Sequence, residues 1–245
     1  MIFGAWALAL TFAIQNPPAT PAADQTTWTD DRPFERLIPN LGHDAKSLAN
    51  WESFTILAAG GGSTIALHDF DDDVAIWMAG QEPSSYSKIG THLGSGWFQA
   101  VAAIGTYAIG KVTHDPAATH IGSDLIRAQV LNGIITVGLK TTVGRERPTG
   151  SPHSFPSGHT SATFASAAVL QGHFGWRVGV PAYAISGFIG WARFRDNEHW
   201  VTDVVAGTAI GLAVGHAVVT GHRPRSWSVV PVATKGGGGL FFIKR

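Results

Sequence analysis

No cysteine occurs among the 245 residues, which excludes disulfides, thiolate metal sites and cysteine nucleophiles. Charge is scarce too. Asp, Glu, Lys and Arg make up 14% of the chain, against about 25% in an ordinary globular domain. The 17 cations balance 17 anions, so the total implies no general affinity for nucleic acid or acidic surfaces. Where the cations cluster matters more than their number. Linear metal motifs are missing: the 11 histidines are scattered, with no HExxH or other compact zinc spacing. The acidic run Asp69 to Asp73 (DFDDD) lacks the Gly and distal Glu of an EF-hand loop and reads as a solvated turn or helix start. Long apolar runs are also few. A membrane span needs about 20 apolar residues, yet only AQVLNGIITVGL separates Arg127 from Lys140, and only VGVPAYAISGFIGWA separates Arg177 from Arg193. Ile89 to Gly110 alone reaches spanning length. The hydropathy lies between that of a soluble helical bundle and that of an integral membrane protein.

What is present is 44% hydrophobic and of a length for one domain with tails. Residues 1–23 combine an apolar run with Pro and small residues. They read as a secretory signal peptide cleaved near Ala22-Ala23, or else as a short N-terminal anchor. Residues 24–52 form a polar arm containing Pro33 and Pro39, with a helix start capped by Asp44. The domain proper is expected over 53–222, as six helical segments. These run through AKSLANWESFTILAAGG, from His92 to Gly110, from Ser123 or Asp124 to Glu146, after Pro156, through VGVPAYAISGFIGWARF, and from His199 onward. Small residues recur in all of them and allow close helix approach. Residues 223–245 read as a β-hairpin about Gly236 to Gly239, with Pro231 confining its strand to an edge. The expected fold class is therefore all-α, with a short C-terminal hairpin.

Three clusters carry chemistry. Lys140 and Arg147 are seven residues apart; on one helix both project from one face, and Pro148 would end that helix. Alone, they are an ordinary basic C-terminal turn. In Pro156-Ser157-Gly158-His159, Ser157 can cap a helix whose free N–H groups attract an anion, with His159 beside it as a proton donor. Alone, this is an ordinary capped helix start. His199 and Asp203, four apart, stack on one helix face, where the carboxylate can hold the imidazole in one tautomer. Arg193 and Arg195 lie in the turn before that helix. Such a pair is common on solvated helices, although Trp200 and Val201 beside it are apolar.

In this order, Lys-x6-Arg-Pro, Pro-Ser-Gly-His and Arg-x5-His-x3-Asp resemble the three-part signature of the type 2 phosphatidic acid phosphatase family, whose superfamily includes bacterial class A acid phosphatases and vanadium haloperoxidases. The resemblance covers the C-terminal half of the domain and departs from the pattern at Ala192, where the family usually has Ser. It implies a six-helix bundle with a site at one end. Lys140, Arg147 and Arg193 would neutralise phosphate, with Ser157 and the Gly158 N–H donating. His199 would attack phosphorus, oriented by Asp203, and His159 would protonate the leaving alcohol. No metal or cofactor is implied.

The substrate expected is a phosphorylated lipid or a small phosphate ester, with membrane association, no nucleic-acid partner, and a place in a bacterial-type cell envelope with the site on the non-cytoplasmic side. Three other readings compete. They are a soluble periplasmic acid phosphatase of broad specificity, a haloperoxidase requiring vanadate, and an inactive helical membrane protein that retains the pocket.

Overall fold

A computed structural model describes residues 34–81, 84–221, 227–234 and 237–244; the expected signal peptide or anchor lies outside them. Nine α-helices follow one another among the described residues. They are α1 (Leu37–Ser47), α2 (Trp51–Ala66), α3 (Asp71–Ala79), α4 (Ser85–Gly94), α5 (Gly96–Thr113), α6 (Pro116–Val143), α7 (Gly158–Phe174), α8 (Trp176–Arg195) and α9 (Val201–Thr220). The backbone of β1 (Trp227–Thr234) then pairs antiparallel with that of β2 (Gly237–Lys244).

Helices exceed the expected six because polar residues break two of the segments and the acidic run starts another. Asn50 turns extended, with φ −78° and ψ 163°, and its side chain accepts the Ser53 N–H at 2.6 Å, so α2 starts there. Asp44, expected as a cap, is instead buried within α1. Pro39 falls in the first turn of α1 rather than in an arm; a missing N–H is harmless there because the first N–H groups of a helix have no intrahelical partner. The run from Ile89 to Gly110 is broken at Ser95, which is extended and accepts the Phe98 N–H. No continuous spanning helix exists there. Instead α9 is the one described helix long and apolar enough to cross a membrane, and it is mostly buried inside the protein.

The long helix α6 begins at Pro116, where Asp115 accepts the N–H groups of Ala117 and Ala118. It ends at Val143, because Gly144 takes a left-handed φ of 61°. Neither end was placed by the apolar pattern.

The core forms where α6, α7 and α9 meet, around Ala128, Leu131, Val169, Val214 and Val218. Gly207, Gly211 and Gly215 recur every fourth residue on α9, on one face. A Cβ there would come within 2.6, 2.3 and 2.5 Å of the carbonyl oxygens of Ser157, Ser161 and Ala165. Only glycine allows α9 to lie on α7 this closely, and Gly60 of α2 likewise lies against Ala209. This packing brings the N-termini of α7 and α9 together.

Candidate active site

Four helix ends converge at one end of the bundle: the C-terminal parts of α6 and α8 and the N-termini of α7 and α9. Lys140 sits in the last turn of α6 and donates to the carbonyl oxygens of His153 and Ser154 at 2.7 and 3.1 Å. Its Cε lies beside Gly158, 3.8 Å from where a Cβ would stand. Arg147 does not share its helix face as expected, since α6 has already ended at Gly144. Arg147 belongs to the following loop, held by Arg147 N–H to the Ser151 carbonyl (2.8 Å) and Gly150 N–H to the Arg147 carbonyl (2.9 Å).

Ser157 stands at the cap position of α7, but its hydroxyl makes no cap bond. It is buried and accepts from Thr160 Oγ1 at 2.9 Å, while its N–H donates to the Asp203 carbonyl at 3.0 Å. His159, in the first turn of α7, lies against Gly94, where a Cβ would come 3.1 Å from that of His159. Electrostatically His159 feels Arg193, His199, Arg147 and Lys140, so the three clusters form one neighbourhood.

Arg193 lies in the last turn of α8, not in the turn before α9. It is buried and donates to Thr91 Oγ1 at 2.8 Å. Glu198 bridges the two guanidinium groups, pairing with Arg147 and lying 3.6 Å from Arg193. Ala192 is fully buried against Gly90 of α4, where a Cβ would come within 2.7 Å.

His199 and Asp203 meet, but not by stacking on a helix face. His199 precedes α9, and Asp203 is at its third position, with Oδ2 accepting the Trp200 N–H at 3.0 Å in a helix cap. The same oxygen faces His199 Nδ1 at 3.4 Å. Ser154 Oγ joins both, bonded to Asp203 Oδ2 and 3.3 Å from His199 Nδ1. The imidazole is buried. Burial pushes the His199 pKa down to about 4, helped by the positive charge of Lys140 and opposed by the hydrogen bond to Asp203. The ring is therefore neutral at neutral pH.

Several residues of this site were invisible to motif reading. Arg145 donates through Nη1 to Thr202 Oγ1 (2.7 Å) and Asp203 Oδ1 (2.9 Å), and through Nη2 to Asp71 Oδ2 (2.8 Å). It also lies 5.0 Å from the Trp200 ring centre. Asp71 belongs to the acidic run expected to be solvated, yet it is buried and accepts the Thr202 N–H at 3.0 Å. It thus caps α9 from a distant element and fixes the guanidinium that holds Asp203. For Arg145 and Ser154 the signal was adjacency to the motifs; for Asp71 there was none.

A cation-lined, imidazole-bearing site at one end of a helical bundle defines a class of anion-handling proteins, and the comparisons agree. The model of the PAP2 superfamily matches residues 122–227. The chain is 37% identical over 97 residues to the Lipid A 1-phosphatase of Porphyromonas gingivalis, covering 38% of this chain and 22% of that protein. Over 76 residues it is 24% identical to the Lipid A 4'-phosphatase of Helicobacter pylori, covering 31% and 38%. It therefore spans well under half the length of these curated relatives. In fold it is similar to a transmembrane PAP2 type phosphatidylglycerolphosphate phosphatase from Bacillus subtilis (TM-score 0.53, 21% identity, 69% of this chain and 94% of that one). LpxE of Aquifex aeolicus gives a TM-score of 0.51 at 21% identity, covering 62% and 95%.

Proposed function

We propose that this chain is a metal-independent phosphatase that hydrolyses lipid phosphates or diphosphates, lipid A among them, through a phosphohistidine. The observation that carries the proposal is the buried, Asp203-backed imidazole of His199 set among Lys140, Arg147 and Arg193. The catalytic domain is assigned to 53–222, with 24–52 and 223–245 as its flanking segments.

In this mechanism the three cations receive the phosphate oxygens, displacing Glu198 from the two guanidinium groups. The Ser157 hydroxyl and the Gly158 N–H add donors at the positive end of α7. Fixed cations then neutralise the charge that a metal ion neutralises in other phosphoryl transfers. Asp203 and Ser154 occupy the Nδ1 side of His199, so Nε2 attacks phosphorus. The P–O bond to the leaving group breaks as the P–N bond forms. His159, whose pKa burial and the neighbouring cations press down to about 3, takes up a proton as the bound phosphate's negative charge offsets those cations, and gives it to the departing oxygen. Neutral His159 next takes a proton from water, whose oxygen attacks phosphorus. Phosphate leaves and His199 is restored.

Lipid is favoured as substrate by the apolar surface and by the substrates in the relatives' names. Trp51, Ile65, Ile76, Trp97, Val112 and Ile134 are more than half exposed on α2, α3, α5 and α6, more than scattered apolar residues usually require. The reading places this belt in lipid and the site on the non-cytoplasmic side of the cell envelope. A soluble periplasmic phosphatase of broad specificity is the second reading, favoured by the burial of the one helix of spanning composition.

The test is phosphate release in detergent with chelator present, for wild type and His199→Ala, on a hexa-acylated lipid A, phosphatidate and p-nitrophenyl phosphate. Release by wild type, lowered at least about 10³-fold in the variant, is expected. Comparable release by a folded His199→Ala protein would sink the assignment.

A further inference from the structure

The opposite end of the bundle holds a second histidine cluster that the phosphatase reading does not use. His120 and Asp124 are one turn apart on α6, hence on one face. His173, in the last turn of α7, faces them. Its Nε2 lies 2.9 Å from Asp124 Oδ2, and its ring centre is 5.6 Å from that of His120. One donor atom from each of the three lies within 4.8 Å of the others. Along α7, His173 is about 21 Å from His159 at the helical rise per residue.

We propose that His120, Asp124 and His173 form a structural site for a divalent transition-metal ion, zinc foremost. Two imidazole nitrogens and a carboxylate oxygen are a ligand set that zinc accepts, and water completes the shell. Tetrahedral zinc at about 2.1 Å from each ligand needs them roughly 3.4 Å apart. The Asp124–His173 pair, hydrogen-bonded at 2.9 Å, would open by about half an ångström as the ion replaces the shared proton, and rotation of the partly buried His120 would close the triangle.

The surroundings fit this role. Asp124 is oriented through its other oxygen, which accepts from Arg127 Nη2 at 2.6 Å, and Arg127 Nε lies 2.8 Å from Asp44 Oδ2. All three of these side chains are buried. Second partners of this kind fix the geometry of ligating groups. The ion would join α6 to the end of α7, where no linear spacing announces it.

The experiment uses the full chain without a histidine tag, stripped by chelator, dialysed against Zn²⁺ and measured by elemental analysis. About one tightly held Zn²⁺ per chain is expected, retained by His114→Asn at an exposed histidine and lost by His120→Ala and by His173→Ala. Zinc should raise the wild-type Tm by at least about 3 °C and leave chelator-insensitive phosphate release unchanged. Should both variants misfold, Co²⁺ added to the wild type decides: visible d–d bands of a nitrogen- and oxygen-bound ion are expected. No bound Zn²⁺ and no Co²⁺ bands, or Zn²⁺ held equally by both variants, would overturn the site.

Discussion

His199 illustrates how a single side chain is prepared by its surroundings. Its ring is buried, with Nδ1 beside Asp203 and Ser154, and its pKa is pushed down to about 4. An NMR titration of the imidazole in detergent should therefore give a midpoint near 4; a midpoint above 6 would contradict the burial described. The sign for stability follows. The unfolded chain binds this proton near pH 6.5, whereas the folded chain resists it until about pH 4. Stability from this group is therefore lost as pH falls across that interval and is constant above it. The fall in Tm between pH 7 and 4.5 should be smaller in His199→Gln. Arg145 tests the support beneath Asp203. Arg145→Gln leaves Asp203 and Asp71 without their guanidinium while sparing the phosphate-binding cations. Loss of about 1–2 kcal/mol of transition-state stabilisation, roughly tenfold in kcat, is expected with KM nearly unchanged. A purely structural role would lower Tm and leave kcat intact.

At the level of elements, the site depends on how closely α9 lies on α7. Gly211 has the Ser161 carbonyl where its Cβ would be, at 2.3 Å, and backbone cannot retreat as a side chain can. Gly211→Leu should destabilise by about 3 kcal/mol or more and abolish phosphate release with it. Gly133 of α6 offers the contrast, with nothing near its Cβ position. Gly133→Ala should hold or raise stability by up to about 1 kcal/mol. Thermal melts of both variants in one detergent make the comparison; equal effects would show that the glycine stripe is not what sets the spacing. Helix ends matter as much as helix faces here, since the caps at Gly144 and Asp203, and the Ser157 N–H bonded to the Asp203 carbonyl, direct the functional groups to one point.

For the whole molecule the deciding feature is the exposed apolar surface. Large apolar side chains ring the outside of α2, α3, α5 and α6, while the most apolar helix, α9, is enclosed by the others. Such a surface would aggregate in water. The chain should remain in the membrane pellet through high salt and alkaline carbonate, and come out only with detergent. Release by carbonate, with activity retained in the supernatant, would transfer the proposal to the soluble phosphatase. Activity on lipid phosphates should then also fall below that on p-nitrophenyl phosphate.

Reading the sequence alone identified an all-α domain, named eight residues that the fold gathers around one site, and excluded thiol chemistry. The first and last rest on composition and residue identity, which a linear chain displays directly; the eight residues were joined into one site only by the resemblance of their ordered motifs to a known family. The same reading misplaced Arg147 on the helix of Lys140 and Arg193 before α9, because single local caps end those helices, as Gly144 does by bonding back to Lys140; it misplaced Asp44 as a cap because Asp44 is buried beside Arg127 of a distant helix. Asn50 and Ser95 split segments that apolar composition ran together. Asp71 became a buried cap of α9 instead of a solvated acid, and Arg145 became its partner, through contacts between residues far apart in the chain. His120, Asp124 and His173 met for the same reason. Helix packing brings residues together across long sequence separations, and no periodicity along the chain encodes which helices will be neighbours.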